Sequence, residues 1–331
     1  MARIIAIGDG MDEAINAASV ILALGRPVAI PTETVYGLAA DATNPAAITS
    51  IYETKGRPRF NPLICHMADL DMAEQHAEFD PLSRRLAEHF WPGPLTLVLA
   101  LKPESDIHPL ATAGLDSVGI RVPVGFTGDL IRHFGRPLAA PSANSSGKIS
   151  PTSAAHVDGD LGDRINLVID GGACEVGVES TILKVEDGEI HLLRPGGVSV
   201  EDIEAFAGVP VQRPKIAGAA IIEAPGMLAS HYAPNAGVRL NATSVGRLEA
   251  LLNFGNTAVA GQDDSRMVLN LSPAGDLAEA AANLFDYLKQ ADATGAVAIA
   301  VAPVPDTGLG EAINDRLVRA AAPRDAEGPV E

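Results

Sequence analysis

The sequence predicts an α/β protein of two domains, a larger one with a mixed sheet and a smaller one with a parallel sheet. Its 331 residues exceed the usual size of one domain. Short apolar runs of strand length alternate with helix-like segments through the first two hundred residues, and a regular alternation of strands and helices follows residue 237. Between them, prolines and glycines interrupt the stretch from 207 to 237. We therefore predict a first domain at 1–208, a linker at 209–236 and a second domain at 237–331.

Five apolar runs in the first domain predict short buried strands, at 28–32, 62–66, 95–101, 118–122 and 137–140. Two helices are predicted to begin at Pro45 and Pro81, because proline is favoured in the first turn of a helix. The pair Asp187-Gly188 separates runs at 181–185 and 189–194, and this pair is typical of a tight β-hairpin. The first domain should therefore hold a mixed sheet with helices.

The second domain shows strands alternating with helices. Strands are predicted at 238–240, 267–271 and 297–301, and helices at 244–252, 276–290 and 309–321. In the middle helix Leu277, Ala281, Leu284 and Leu288 share one face, and Asp276 stands at the N-cap. This alternation predicts a small parallel sheet with Rossmann-like layering. Since it contains no glycine-rich phosphate-binding motif, we assign it no nucleotide site.

The overall charge of the protein is strongly negative. Lys and Arg number 24 against 42 Asp and Glu, so the formal net charge is −18, which repels polyphosphates and anionic membranes at long range. Lys55, Arg57 and Arg59 form an exception, because no acid occurs among them. They follow a predicted helix in a loop where we expect exposed side chains. This positive stretch predicts a local anion site, with a cation-capped helix end as the alternative.

The two cysteines, Cys65 and Cys174, lie far apart and form no Cys-x-x-Cys pair, which argues against a disulfide framework or a structural zinc site. We expect both to be small buried residues. The sequence has no apolar run of membrane-spanning length and no signal-peptide core. We therefore expect a cytoplasmic protein with no membrane partner.

Several polar residues lie within a predicted strand or directly after one. Ser142 and Asn144 follow the strand at 137–140, where they can bond a phosphate or ribose, or simply form a turn. Arg121 lies within an apolar strand and so requires a carboxylate, either from this chain or from a substrate. His66 ends a strand and can be either a ligand-binding or a packed core histidine. Tyr232 lies in the linker, where it either packs against a domain or serves the site.

Eight segments, taken in order, carry a resemblance: PTETVYGLAADA, KGRPRFNPLICH, WPGPLTLVL, GIRVP, APSAN, VESTI, LRPGG and SHYAP. Together they resemble the threonylcarbamoyl-AMP synthase family in its two-domain form, a YrdC-like domain plus a C-terminal extension. The resemblance implies a twisted mixed sheet with a concave, positively charged cavity, followed by a small Rossmann-like α/β/α domain. It also implies that L-threonine, bicarbonate or CO2, and ATP yield L-threonylcarbamoyladenylate and pyrophosphate for tRNA modification. Mg²⁺ would be held mainly by the ATP phosphates.

The resemblance also implies roles for individual residues. Lys55 and Arg57 are the catalytic pair. The nucleotide-binding set is Lys55, Arg57, Asn61, Ser117, Ser142, Asn144, Ser150, Arg194 and Tyr232. The threonine-binding set is Thr34, His66, Arg121, Ala140 and Ser180, with Ala140 acting through its backbone. No residue is assigned to a metal; a tRNA threonylcarbamoyl transferase is the candidate partner, and direct tRNA binding is left open.

Features of the sequence argue against two other functions. A double-stranded-RNA-binding module would use a basic concave face, but the net charge of −18 argues against salt-sensitive RNA binding. The related carbamoyl transfer of hydrogenase maturation involves proteins with additional Cys-x-x-Cys zinc regions, which this sequence lacks. A further hypothesis concerns the linker, whose length and prolines exceed what a tether needs: the stretch 207–237 is a lid that brings Tyr232 to the nucleotide.

Overall fold

The computed structural model describes residues 1–58, 60–213 and 231–323. The chain divides into two compact units. Of the described residues, the first unit contains 1–146 and 150–213, apart from residue 59, and the second contains 147–149 and 231–323. No helix within these ranges is long and apolar enough to cross a membrane.

The first unit combines strands and helices in mixed order. Its strands are β1 (Arg3–Ala6), β2 (Val28–Ile30), β3 (Gly37–Asp41), β4 (Ile64–His66), β5 (Leu95–Ala100), β6 (Ser117–Arg121), β7 (Leu138–Ala139), β8 (Leu167–Asp170), β9 (Thr181–Glu186), β10 (Glu189–Arg194) and β11 (Val211–Gln212). Its helices are α1 (Met11–Ala23), α2 (Pro45–Lys55), α3 (Leu70–His76), α4 (Pro81–Phe90), α5 (Phe126–Phe134), α6 (Ala154–Leu161) and α7 (Val200–Ala207).

The strands of the first unit form one sheet, in the order β1-β8-β2-β3-β7-β4-β6-β5-β9-β10-β11 within the described ranges. Parallel and antiparallel pairs alternate irregularly: β4 runs parallel to β6, while β7 runs antiparallel to both β3 and β4. This confirms the predicted mixed sheet. Its consequence is that the short strands β4, β6 and β7 lie side by side at the centre, so the residues at their ends are close together.

Local sequence signals explain several elements of this unit. Proline occupies the first position of α2, and the side chain of Asn44 accepts hydrogen bonds from the Ala46 and Ala47 amides, which caps the helix. Strands β9 and β10 form the predicted hairpin, with Glu186 opposite Glu189. Asp187 and Gly188 both have positive φ, at 53° and 79°, as a two-residue turn of this kind requires.

The second unit is a small α/β layer structure. Its elements are β12 (Gly237–Arg239), β13 (Glu249–Asn253), β14 (Met267–Asn270), α8 (Leu277–Ala293), β15 (Ala298–Val301) and α9 (Leu309–Ala321). The sheet has the order β12-β15-β13-β14, and every pair in it is parallel. Asp276 caps α8 by accepting from the Glu279 amide, as predicted. The predicted Rossmann-like layering is therefore confirmed.

The helix predicted at 244–252 is wrong, because its second half is strand β13. Ala250, Leu251 and Leu252 are fully buried in the middle of the sheet, between β15 and β14. A strand that is covered on both faces shows a continuous apolar run rather than alternation, and such a run cannot be distinguished from a buried helix by its periodicity. The tertiary position of these residues decides the structure here, not the helical preference of alanine and leucine.

We expect Leu251→Ala to lower the free energy of unfolding of the second unit by about 2 to 5 kcal/mol. Leu251 is fully buried, and its truncation removes apolar contacts and leaves a cavity in the central strand. Urea denaturation of the full chain measures the loss. Val268→Ala is the control, since Val268 lies on the neighbouring strand β14 but is 46% exposed and should cost about 0.5 kcal/mol or less. Equal losses in the two variants would contradict the packing described.

Candidate active site

Lys55 is the last residue of α2, and its ammonium group is buried. The side chain passes beneath the segment that follows β7, where Nζ donates to the carbonyl oxygen of Ser142 at 2.5 Å and to that of Asn144. Only 3% of Lys55 is exposed, so the expected exposed side chain is wrong. Burial lowers the pKa of Lys55 well below its usual range, and the nearby Arg57 lowers it further.

Arg57 is buried as well, with 8% of the residue exposed, which again corrects the expectation. Its guanidinium donates to the carbonyl oxygens of Pro62 at 2.9 Å and Asn61 at 3.3 Å. Asn61 is itself 1% exposed, and its side-chain Oδ1 has no hydrogen-bond partner among the described residues. The two cations therefore order the loops around them, and a buried amide oxygen is left available beside them.

The segment from Ser142 to Asn144 is held on two sides. Gly37 at the start of β3 forms an isolated bridge with Ser142, and the Ala143 amide donates to the carbonyl of Tyr36 at 2.7 Å. Asn144 is buried and its Nδ2 donates to the Ser145 carbonyl at 2.8 Å, whereas Ser142 is partly exposed. With Lys55 underneath, this segment presents the Ser142 hydroxyl from a fixed backbone.

Arg121 ends β6 and is tied to the chain through three of its nitrogens. Nη1 donates to Thr34 Oγ1 at 2.8 Å and Nε donates to the Gly93 carbonyl at 3.1 Å. Nη2 lies 2.5 Å from Glu33 Oε1, so the carboxylate expected near this buried cation is supplied by this chain. Thr34 in turn is within hydrogen-bond distance of Thr32 Oγ1, at 2.8 Å. Two of the predicted threonine-binding residues, Thr34 and Arg121, are thus in direct contact.

His66 stands opposite Arg121 in the register of β4 and β6. It is 3% exposed. Burial lowers the pKa of His66 to about 3, and the positive charge of Arg121 contributes in the same direction. The imidazole is therefore neutral at physiological pH, where it can donate or accept a hydrogen bond without adding charge to the site.

A pH-dependent stability follows from His66. Its folded pKa lies below the unfolded value of 6.5, so the unfolded state binds the additional proton between about pH 6.5 and pH 3. Stability should therefore fall as the pH is lowered through this window, by up to about 1.4 kcal/mol per pH unit from this residue. We expect His66→Gln to lose less stability than the unsubstituted protein in urea unfolding between pH 6.5 and 4.5. His133→Gln, an exposed histidine on α5, should follow the unsubstituted protein; parallel curves for all three would contradict the burial effect.

Ser180 and Arg194 meet at the start of β9 and the end of β10. Arg194 Nη2 donates to the Ser180 carbonyl at 2.9 Å and to its hydroxyl at 3.2 Å, and Thr96 Oγ1 lies 2.7 Å from the same hydroxyl. A register shift between Leu192 and Arg194 places Arg194 opposite Ile182, next to Ser180 and Thr181. A residue assigned to threonine and one assigned to the nucleotide are therefore hydrogen-bonded to each other.

Gly196 allows this arrangement by its lack of a side chain. A Cβ at this position would lie 2.3 Å from the Glu179 carbonyl oxygen and 2.3 Å from the Ser180 carbonyl carbon. Any larger residue would force the Glu179–Ser180 backbone away from the strand ends. The LRPGG segment thus brings Arg194 and the VEST segment together by close backbone approach.

The remaining predicted residues of the first unit differ in which groups they contact. Ser150 is fully buried and its hydroxyl donates to Glu179 Oε1 at 2.6 Å. Ala140 follows β7, and its amide donates to the Ile64 carbonyl at 3.1 Å. Ser117 is the first residue of β6 and Arg121 is the last, so the two lie at opposite ends of this strand. Ser117 pairs with Ala100 of β5. Its hydroxyl makes no contact with the groups described above among the bonds of the described residues.

Tyr232 belongs to the second unit. Its ring stacks on Phe285 with 5.4 Å between centroids, and the guanidinium carbon of Arg316 lies 5.6 Å from the ring centroid. The residue is 1% exposed and has a positive φ of 61°. The packed position anchors the chain that follows the gap to the second unit. Its assignment to the nucleotide stays a prediction.

Three polar residues of this site were missed by reasoning from the sequence. Glu33 contacts Arg121, Glu179 contacts Ser150, and Thr96 contacts Ser180. Glu33 and Glu179 each stand next to a predicted threonine-binding residue, which is the signal that could have identified them. Thr96 lies within an apolar strand and carries no comparable signal. Among the described residues, no group of three or more His, Cys, Asp and Glu forms a metal site.

Comparisons with known proteins cover both units. A family model described as "Telomere recombination", of the Sua5, YciO and YrdC proteins, matches residues 20–196, and one described as the C-terminal domain of threonylcarbamoyl-AMP synthase matches 198–322. The threonylcarbamoyl-AMP synthase of Bacillus subtilis is 42% identical over 328 residues, which are 95% of this chain and 94% of the relative. That of Pyrococcus abyssi is 41% identical over 316 residues, covering 91% and 92%. The crystal structure of P. abyssi Sua5 complexed with L-threonine matches with a TM-score of 0.85 and 36% identity over 97% of each chain.

Proposed function

Because this chain belongs to the threonylcarbamoyl-AMP synthase family in its two-domain form, we propose that the polar residues of the first unit bind ATP and L-threonine side by side. The activity of the chain is that of this family, a nucleotidyl transfer that forms threonylcarbamoyl-AMP. The proposal concerns which residues perform it. The observation that carries it is the direct contact between residues assigned to the two substrates, Ser180 and Arg194.

The reaction joins three substrates in two steps. The threonine amine attacks CO2, derived from bicarbonate, and forms a carbamate. A carbamate oxygen then attacks the α-phosphorus of ATP, the bond to the bridging oxygen breaks, and pyrophosphate leaves. Both steps depend on position and on neutralised charge rather than on a covalent nucleophile. A site of buried cations and hydroxyl groups with no catalytic triad suits this chemistry.

The proposed phosphate site comprises Lys55, Arg57 and the segment from Ser142 to Asn144. Lys55 and Arg57 are two positions apart in the sequence. The backbone of Ser142 is held by Lys55 and by a bridge to Gly37, so the position of its hydroxyl is fixed. The unpartnered Oδ1 of Asn61 supplies a buried acceptor for a donor of the nucleotide. We propose that Ser117, Ser150 and Arg194 complete the nucleotide site of the first unit; the assignment of Tyr232 to the nucleotide stays a prediction.

The proposed threonine site is formed by Thr34, His66, Arg121 and Ser180, with the backbone of Ala140. Arg121 offers a planar fork that suits the carboxylate of an amino acid. His66 is neutral and can orient the hydroxyl or amine without repelling it. The P. abyssi relative complexed with L-threonine supports an amino-acid site in this fold.

Mg²⁺ would enter this site with ATP. Mg²⁺ commonly keeps several waters and binds substrate phosphates with one or two carboxylates, so a protein cage is not required. When bound, it would supply charge neutralisation of the phosphates. We assign no protein ligand to it; the two acids described above, Glu33 and Glu179, contact Arg121 and Ser150.

We further propose the division at 1–208, 209–236 and 237–331 and a lid at 207–237. Residues 214–230 of this lid lie outside the described residues. Among the described residues of this stretch, Val211 and Gln212 pair with Ile190 and His191 of the large sheet.

A transferase that consumes the adenylate is the proposed partner. A cytoplasmic location suits the two free, buried cysteines.

The test of this function follows radiolabelled bicarbonate into an adenylate, with threonine, with serine and with no amino acid. Threonine-dependent label in the adenylate, with one pyrophosphate per label, is the expected result. RNA affinity with a steep salt dependence, together with no threonine-dependent turnover, would instead support the RNA-binding alternative.

A further inference from the structure

Arg121 makes two contacts with neutral groups and one with a charged group. Thr34 Oγ1 and the Gly93 carbonyl hold Nη1 and Nε, and neither group carries charge. Among the described residues that contact Arg121, Glu33 alone carries a negative charge that balances the guanidinium. The side chain therefore stays in place without Glu33, but it then needs another anion.

The contact between Arg121 and Glu33 is close without being well directed. Nη2 and Oε1 are 2.5 Å apart, yet neither atom makes a hydrogen bond of normal geometry. In the part of the chain that the structure describes, the second carboxylate oxygen of Glu33 accepts a hydrogen bond from the Val124 amide alone, at a long 3.3 Å. Directed, charge-assisted hydrogen bonds are the strong ones, so this pair is held mainly by charge.

Glu33 also has space beside it. It lines a surface cavity of about 270 Å³, together with Thr32, Val124, Cys174 and Glu175. A rotation of its side chain into this open space would expose the carboxylate to water and free Nη2 of Arg121. Arg121 has no comparable freedom, because three of its nitrogens are engaged and its side chain is 4% exposed.

We propose that Glu33 is a stand-in for the substrate carboxylate: it neutralises Arg121 in the empty site and is displaced when threonine binds. This inference rests on the proposed function, in which Arg121 receives the threonine carboxylate. Glu33 then sets the affinity for threonine, because each binding event must replace one ion pair by another. It also makes the site selective for ligands that carry an anionic group, since a neutral ligand cannot take the place of Glu33.

The experiment measures threonine binding to the full chain by calorimetry. Glu33→Gln keeps the size of the side chain and removes the charge that competes with the substrate. We expect the threonine Kd to fall about fivefold, the difference between a charged and a neutral hydrogen-bond partner. Threonine should also raise the Tm of this variant more than that of the unsubstituted protein, because an unpaired Arg121 is costly in the empty site.

Glu175→Gln is the matched control, since Glu175 lines the same cavity, is exposed and makes no contact with Arg121 among the described bonds. It should leave the Kd within twofold. If Glu33→Gln folds poorly, Glu33→Asp retains the charge with a shorter reach and should also bind threonine more tightly. An unchanged or raised Kd in a folded Glu33 variant overturns the proposal.

Arg121→Lys distinguishes the failure of the proposed threonine site from the failure of the stand-in role of Glu33. If Arg121→Lys leaves the threonine Kd unchanged, the proposed threonine site fails. If it raises the Kd while the Glu33 variants have no effect, only the stand-in role fails.

Discussion

Lys55→Met should lower kcat/KM for ATP by about a thousandfold or more. The substitution keeps an apolar stem of similar length and removes a buried ammonium that holds the Ser142 and Asn144 carbonyls. Hydrogen bonds from a charged group contribute about 1.5 to 3 kcal/mol each, and two of them account for a loss of this size. Pyrophosphate release at varied ATP concentrations measures the effect.

The same change should lower stability, because two buried carbonyl groups lose their donor. Urea unfolding should therefore show a loss of about 2 to 4 kcal/mol. Arg57→Ala should reduce turnover similarly, while Arg84→Ala, a half-exposed cation on α4 with surface partners, should change neither property. Turnover close to that of the unsubstituted protein in both Lys55→Met and Arg57→Ala would contradict their placement at the phosphates.

Arg121→Lys should raise the KM for threonine by about a hundredfold and leave the KM for ATP nearly unchanged. An ammonium can replace the charge of Arg121, but it cannot keep the two directed contacts to Thr34 and Gly93 and at the same time offer a planar fork to a carboxylate. Loss of one or two charge-assisted bonds corresponds to a factor of this size. Initial rates at saturating ATP and varied threonine measure it.

Arg132→Lys is the control for this prediction, because Arg132 is an exposed cation on α5 paired with Asp129. It should leave both KM values unchanged. An unchanged threonine KM in Arg121→Lys would make Arg121 a purely structural residue, neutralised by Glu33 with no part in substrate binding.

Much of the fold could be predicted from local signals. The hairpin at Asp187-Gly188, the proline-initiated helices α2 and α4, and the capped helix α8 all formed where their sequences indicate, because turn, cap and helix-start preferences act within a few residues. Strand β1 and helix α1 escaped prediction. Ile4 in β1 and Val20 in α1 are exposed, so apolar residues appear on both the buried and the exposed sides of these elements and obscure their pattern.

The candidate site shows the same limit more sharply. The sequence indicated which segments carry polar chemistry, since an arginine within an apolar strand and a run of cations with no acid among them are unusual. It could not indicate their partners. Glu33 and Arg121 are 88 positions apart, and Lys55 meets Ser142 across a similar separation. Only the order of the strands brings such residues together.

The sequence by itself therefore determined the fold class, the division into two parts and the family, and it predicted which residues form the site. The tertiary structure alone decided that Lys55 and Arg57 are buried, that 249–253 is a strand and that Glu33 pairs with Arg121. The physical reason is the range of the interactions. Caps, turns and amphipathic periods are set by neighbours along the chain, whereas burial, pKa and ion pairing are set by whatever the sheet places alongside.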